Sequence, residues 1–153
     1  MPIIMRNIFE EYCTEQFDVQ DTIAVNNGTS ALIAPLWSMD LQPGDEVITT
    51  PFTFIGTSNA ILIAGGTPVF VDINEDDFLI DPTKIEEAIT DKTKAILPVH
   101  LFGQVCDMDS IMQIAKLNNL VVIEDTAQSF SAEYTSYTGE TKMAGTIGDV
   151  GCF

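Results

Sequence analysis

Short apolar runs alternate with amphipathic stretches along most of this chain. The runs "VITT", "VFVDI" and "LVVIE" are rich in β-branched residues and keep apolar side chains at consecutive positions. A strand of that kind is buried on both faces, as in a parallel sheet covered by helices. The pattern predicts strands at "DTIAV", "DEVITTP", "TPVFVDI", "KAILPVH" and "LVVIED". Between them it predicts a helix from about Thr29, then helices over "FIGTSNAILIAGG", "DPTKIEEAI" and "DMDSIMQIAKLNN". Asp81 before Pro82 is an N-cap followed by the residue best suited to a first helical position. Ile111, Ile114 and Ala115 share one helical face. The glycine pair Gly65-Gly66 marks a helix end. The segment from Ser129 to Thr146 reads as a polar loop, and Val150, Cys152 and Phe153 as the start of another buried strand. The order is β-α-β-α-β-α-β-α-β, without repeat or linker. It predicts a three-layer α/β/α arrangement around a mostly parallel sheet.

Composition narrows the partners. The chain has 153 residues, 46% of them apolar, and 6 Lys plus Arg against 23 Asp plus Glu, a net charge of −17. Such a balance argues against nucleic acid and against an anionic membrane surface, both of which select cationic proteins. The acidity reads as a solubility device. Cys13, Cys106 and Cys152 are odd in number and widely spaced, which suits reduced thiols and a cytoplasmic protein better than a disulfide framework or a zinc site. The opening "MPIIMRNIFEEYC" does not resemble a signal peptide, and no run of 18 or more apolar residues is present. No metal-ligand cluster and no Ser-His-Asp arrangement stands out.

Ligands of open parallel sheets sit beyond the carboxyl ends of the strands. Gly28, Thr29 and Ser30 follow the first predicted strand and open a helix. Free N–H groups, the helix dipole and two hydroxyls would cradle a phosphate there, or simply cap the helix. The motif is neither a Walker loop nor a dinucleotide fingerprint. Asp125 ends a buried strand, where a carboxylate needs a partner: a protonated ring nitrogen, or the turn over Thr126 to Gln128. Glu124, pointing to the other face, reads as structural. Phe52 and Phe54 follow the second predicted strand, placed to cover a flat ligand or to pack. His100 is the only histidine and reads as a hydrogen-bonded structural residue and a weak catalytic candidate. Trp37 and the methionines read as core or interface, and "NEDD" at 74–77 as a solvated loop.

The segments "AVNNGTSAL", "QPGDEVITTPFTFIGTSNAI", "GGTPVFVDI", "KAILPVHLFGQVCDMDSI", "VVIEDTAQS" and "GTIGDVGCF" resemble, in this order, the DegT/DnrJ/EryC1/StrS sugar aminotransferases. These are pyridoxal 5'-phosphate (PLP) enzymes of the aspartate-aminotransferase fold, fold type I. The resemblance implies that residues 1–153 form part of the large, PLP-binding domain. It assigns Gly28, Thr29 and Ser30 to the cofactor phosphate, Phe54 to stacking on the ring, Asp125 to the protonated ring nitrogen and Gln128 to the ring hydroxyl. Phe52 is then left to packing. The family moves an amino group, usually from glutamate, to a keto sugar carried on a nucleotide, and its members are usually homodimers. The lysine that anchors the cofactor would lie beyond "GDVGCF". None of Lys84, Lys92, Lys94, Lys116 and Lys142 stands in its motif. The resemblance therefore implies a piece without that lysine or the small C-terminal domain. Such a piece would not transaminate and would hold any cofactor non-covalently. PLP-dependent sugar dehydratases of the same family share most of these segments. A non-catalytic or inert truncated module is the alternative of another class. A Rossmann dehydrogenase is disfavoured by the missing glycine fingerprint.

Overall fold

The computed structural model describes residues 3–153. Two helices come first, α1 (Ile3–Phe17) and α2 (Gly28–Ser38). The segments β1 (Glu46–Thr49), α3 (Gly56–Ile63), β2 (Thr67–Phe70), α4 (Pro82–Ala88), β3 (Thr93–Ile96), α5 (Met108–Asn118) and β4 (Val121–Asp125) then alternate as the hydrophobic pattern predicts. A hairpin, β5 (Glu133–Thr135) and β6 (Thr141–Met143), precedes β7 (Val150–Cys152).

The sheet has the order β2-β1-β3-β4-β7, and every pairing in it is parallel. Val47, Ile48 and Thr49 are buried in succession, as are Ala95 and Ile96, and Val122 to Asp125. Consecutive burial requires cover on both faces, which α2 packed on α3 and α4 packed on α5 supply. The connections explain how. From β1 the chain passes through α3 to β2, in one direction along the sheet. From β3 it passes through α5 to β4, in the opposite direction. Right-handed crossovers then put α3 and α5 on opposite faces. The carboxyl ends of β1 and β3 splay into a crevice at that switch point, where open sheets bind ligands.

Local chemistry sets the helix ends. Asp81 caps α4 by accepting the Thr83 N–H at 2.9 Å, with Pro82 in the first turn. The α3 terminus is a Schellman motif: Gly66 N–H reaches Ile61 O, Gly65 N–H reaches Leu62 O, and Gly65 has φ +92°. Ile111 and Ala115 of α5 are buried, with Ile114 partly so. Pro35 lies inside α2 and cannot donate to Ala31 O. The Cys152 thiol donates to that carbonyl at 3.2 Å, tying β7 to α2.

Three expectations are corrected. Residues 21–25 form no strand: Ile23 and Val25 are exposed, and the Ala24 N–H goes to Glu10 Oε1 on α1 at 2.8 Å. Alternating apolar residues do not make a strand without a free sheet edge to pair with. The polar stretch 129–146 contains the β5–β6 hairpin, whose Tyr134 and Tyr137 hydroxyls donate to Asp107 at the start of α5. Trp37 is 62% exposed, which removes the core half of its core-or-interface reading. The expected last strand forms as β7 with Cys152 buried, while Val150 and Phe153 are each 38% exposed.

Candidate active site at the switch point

A cleft of about 270 Å³ opens where the ends of β1, β3 and β4 meet the start of α2. Asn27, Gly28 and Thr29 line one side; Thr53, Phe54, Gly56 and Thr57 come from the β1–α3 turn; Asp125 and Gln128 follow β4. Five of the six residues expected from the sequence thus share one cleft. The sixth, Ser30, lies in the first turn of α2 but is not among the lining residues. Its N–H is taken by the Asn27 Oδ1 at 2.9 Å. Asn27 is therefore the N-cap, so Thr29 and Ser30 are not the capping residues. The N–H groups of Gly28 and Thr29 have no partner within the helix and, with the positive end of its dipole, offer an anion site.

Asp125 is 5% exposed. Its Oδ2 accepts the Thr57 hydroxyl at 2.9 Å and its Oδ1 accepts the Ala127 N–H at 3.2 Å. Of the two sequence readings, the structure shows the cap, since Asp125 holds the turn after β4; the same carboxylate also lines the cleft. Burial pushes its proton affinity up, and the Thr57 and Ala127 donors oppose that rise. It is the only ionisable side chain lining the cleft, and no lysine, arginine or histidine lines it among the described residues.

Phe54 is 70% exposed, with its ring against Gly56. A Cβ at Gly56 would come within 2.8 Å of that ring and 2.9 Å of Thr29 Oγ1, so the space between them exists because position 56 has no side chain. Phe52 turns away and packs with Phe78, ring centroids 5.8 Å apart. Gln128 Oε1 accepts the Phe102 N–H at 3.1 Å, which leaves its amide NH₂ as the group able to donate to a ligand.

Glu124 and His100 are both fully buried and do not line the cleft. His100 Nδ1 accepts the Cys106 N–H at 3.2 Å, so its proton sits on Nε2, which donates to Glu124 Oε2 at 2.9 Å. Glu124 also accepts the N–H groups of Gly145, Ile147 and Gly148. Burial raises its proton affinity, but the donors from His100, Gly148 and Gly145 outweigh burial and hold the carboxyl below its ordinary value. The pair is a clamp that ties the loop before β7 to β4. Burial raises the Cys106 and Cys152 thiols to about 12, so both are inert at neutral pH.

Sequence reasoning missed Asn27, Thr53, Gly56 and Thr57. Thr53 and Thr57 carried a signal, a spacing of four at a helix start. Gly56 carried none, because nothing local demands a glycine there.

An anion site at a helix start, an exposed aromatic ring and a buried carboxylate suit a ligand with a phosphate, a flat body and a cationic nitrogen. The wider comparisons agree. The chain is 45% identical over 145 residues to GDP-perosamine synthase of Caulobacter vibrioides, covering 95% of this chain and 37% of that protein. The aminotransferase from Psychrobacter cryohalolentis superimposes with a TM-score of 0.89 at 44% identity, covering 95% of this chain and 36% of that one. NtdA from Bacillus subtilis, solved with bound cofactor PMP, superimposes with a TM-score of 0.78 at 48% identity, covering 80% of this chain and 28% of that one. The chain spans about a third of the length of the curated relatives it matches. Residues 5–153 match a single family description, and the chain belongs to the DegT/DnrJ/EryC1/StrS aminotransferase family.

Proposed function

We propose that residues 1–153 are the cofactor-binding part of the large domain of a PLP-dependent aminotransferase. The enzyme transfers an amino group, with glutamate as the expected donor, to a keto sugar carried on a nucleotide, and works as a homodimer. The observation that carries this reading is the convergence of Gly28, Thr29, Phe54, Asp125 and Gln128 on one cleft at the switch point of a parallel sheet.

In this reading the free N–H groups of Gly28 and Thr29 hold the cofactor phosphate at the start of α2. Ser30 supports the same turn through its bond to Asn27. Phe54 covers one face of the ring, in the space kept open at Gly56. Asp125 would accept a hydrogen bond from the protonated ring nitrogen, and its burial would strengthen that charge pair. Gln128 donates its free amide to the ring hydroxyl. When bound, PLP supplies the electron sink that stabilises negative charge on the carbon exchanging the amino group. The chain contributes binding and orientation, and a fixed negative charge at the ring nitrogen.

The test is titration of the purified chain with pyridoxamine phosphate, followed by cofactor fluorescence. Saturable binding is expected, weakened about a hundredfold in Asp125→Asn because a buried charge pair loses one partner. No saturable binding, or equal binding by Asp125→Asn, would overturn the reading.

A further inference from the structure

Thr57 is 1% exposed and holds its hydroxyl between two partners. The hydroxyl donates to Asp125 Oδ2 at 2.9 Å and lies 3.0 Å from Thr53 Oγ1. A hydroxyl has one proton, and an ionised carboxylate only accepts. With its proton committed to Asp125, Thr57 can meet Thr53 only as an acceptor. The order Thr53 to Thr57 to Asp125 therefore follows from counting protons. Thr53 lines the cleft, and its own proton is now committed as well.

We propose that Thr57 is a positioning residue for Asp125, and that Thr53 carries the polarity of this chain to the cleft wall, where it accepts a hydrogen bond from a ligand and donates none. The identity of the ligand rests on the aminotransferase reading; the link between hydroxyl and carboxylate belongs to the chain alone. Burial disfavours the charged form of Asp125, and a donor aimed at the carboxylate favours it. Thr57 is the side-chain donor to Asp125 among the described residues; its other donor, the Ala127 N–H, belongs to the backbone. Other titratable groups lie near Asp125. His100, beyond β3, and the adjacent Glu124 are bonded to each other, and Cys152 on β7 donates to Ala31 O. Protonation of Asp125 would let the chain of hydroxyls reverse, and Thr53 would then present a donor to the cleft. The hydroxyl at the wall thus reports the charge state of a carboxylate it does not touch.

The test uses the ligand-free chain. Carboxyl ¹³C NMR follows the titration of Asp125, assigned by its loss in Asp125→Asn. Thr57→Val keeps the shape and removes the donor, and should raise the proton affinity of Asp125 about tenfold. Thr57→Ser should restore it, which a purely structural role for the methyl group would not predict. Thr53→Val, on the partly buried wall, should shift the titration in the same direction by a smaller factor; it decides the matter if Thr57→Val does not fold. Titrations of these valine variants that superimpose on wild type, or a Thr57→Ser titration matching Thr57→Val, would overturn the proposal. Failure of wild type to bind pyridoxamine phosphate would count against the aminotransferase reading alone, and the titration would still decide this one.

Discussion

Position 56 has no room for a side chain. A Cβ there would lie 2.8 Å from the Phe54 ring and 2.9 Å from the Thr29 hydroxyl, both too close. The neighbours differ in how easily they yield: Phe54 is 70% exposed, so its ring can swing toward solvent. Gly56→Ala is therefore expected to cost little stability, less than about 1 kcal/mol, well under a core overpacking of 1–3 kcal/mol. The displaced ring would no longer cover the cleft. The affinity for pyridoxamine phosphate should fall about fivefold, the loss of a single aromatic contact worth about 1 kcal/mol. Thermal denaturation and a fluorescence titration, run side by side, check both parts. A large drop in melting temperature with unchanged affinity would assign Gly56 to folding instead.

At the scale of elements, the clamp at the end of β4 holds together segments far apart in sequence. Glu124 accepts three N–H groups from 145–148 and the ring proton of His100. Its carboxyl is held below its ordinary value of 4.5 in the folded protein. A depressed carboxylate contributes stability that is present above its unfolded value and lost as pH falls through the folded value. Glu124→Gln puts an amide NH₂ against N–H donors and should cost roughly 3 kcal/mol near neutral pH. Urea unfolding at several pH values should show the gap between wild type and variant narrowing below pH 4.5. A gap independent of pH would mean that charge on Glu124 plays no part in the clamp. The neighbouring Asp125, raised rather than lowered, has the opposite sign: its burial costs stability as pH rises. Adjacent residues on one strand thus divide the work, Glu124 stabilising the fold and Asp125 facing the cleft. A buried carboxylate facing a cleft costs the fold stability, the kind of cost that functional sites commonly carry.

At the scale of the whole molecule, charge is the governing feature. A net charge of −17 carried on 153 residues makes the compact state repel itself. The ion pairs among the described residues are few and mostly exposed, so they offset little of this. Raising sodium chloride from low concentration to about 0.15 M shortens the screening length to about 8 Å and should raise the melting temperature. Scanning calorimetry across that range checks it; a melting temperature that falls with salt would mean that favourable ion pairs outweigh repulsion. The cleft is neutral apart from Asp125. An anion held there would therefore rest on backbone N–H groups and a helix dipole.

The alternation of apolar blocks determined the parallel α/β layers, because strands buried on both faces must be apolar at consecutive positions, as "VITT" and "LVVIE" are. It also determined most helix ends, since caps such as Asp81 and the Gly65-Gly66 pair act within a few residues. Gly28, Thr29 and Asp125 were legible because they open a helix or end a strand, where ligands of such sheets bind, whereas Gln128 and the choice of Phe54 over Phe52 came from the family resemblance; all five line the cleft. Tertiary structure decided what depends on distant partners. Residues 21–25 alternate like a strand but meet no free edge, and the polar 129–146 segment folds into a hairpin that docks on Asp107. Cys152 answers a carbonyl that Pro35 leaves free, 121 residues from its partner Ala31. Thr57 reaches Asp125 across 68 residues, and Gly56 is needed only because Phe54 and Thr29 converge on it. Local sequence encodes propensity and capping, whereas such contacts exist only once the crossovers have brought the strand ends together.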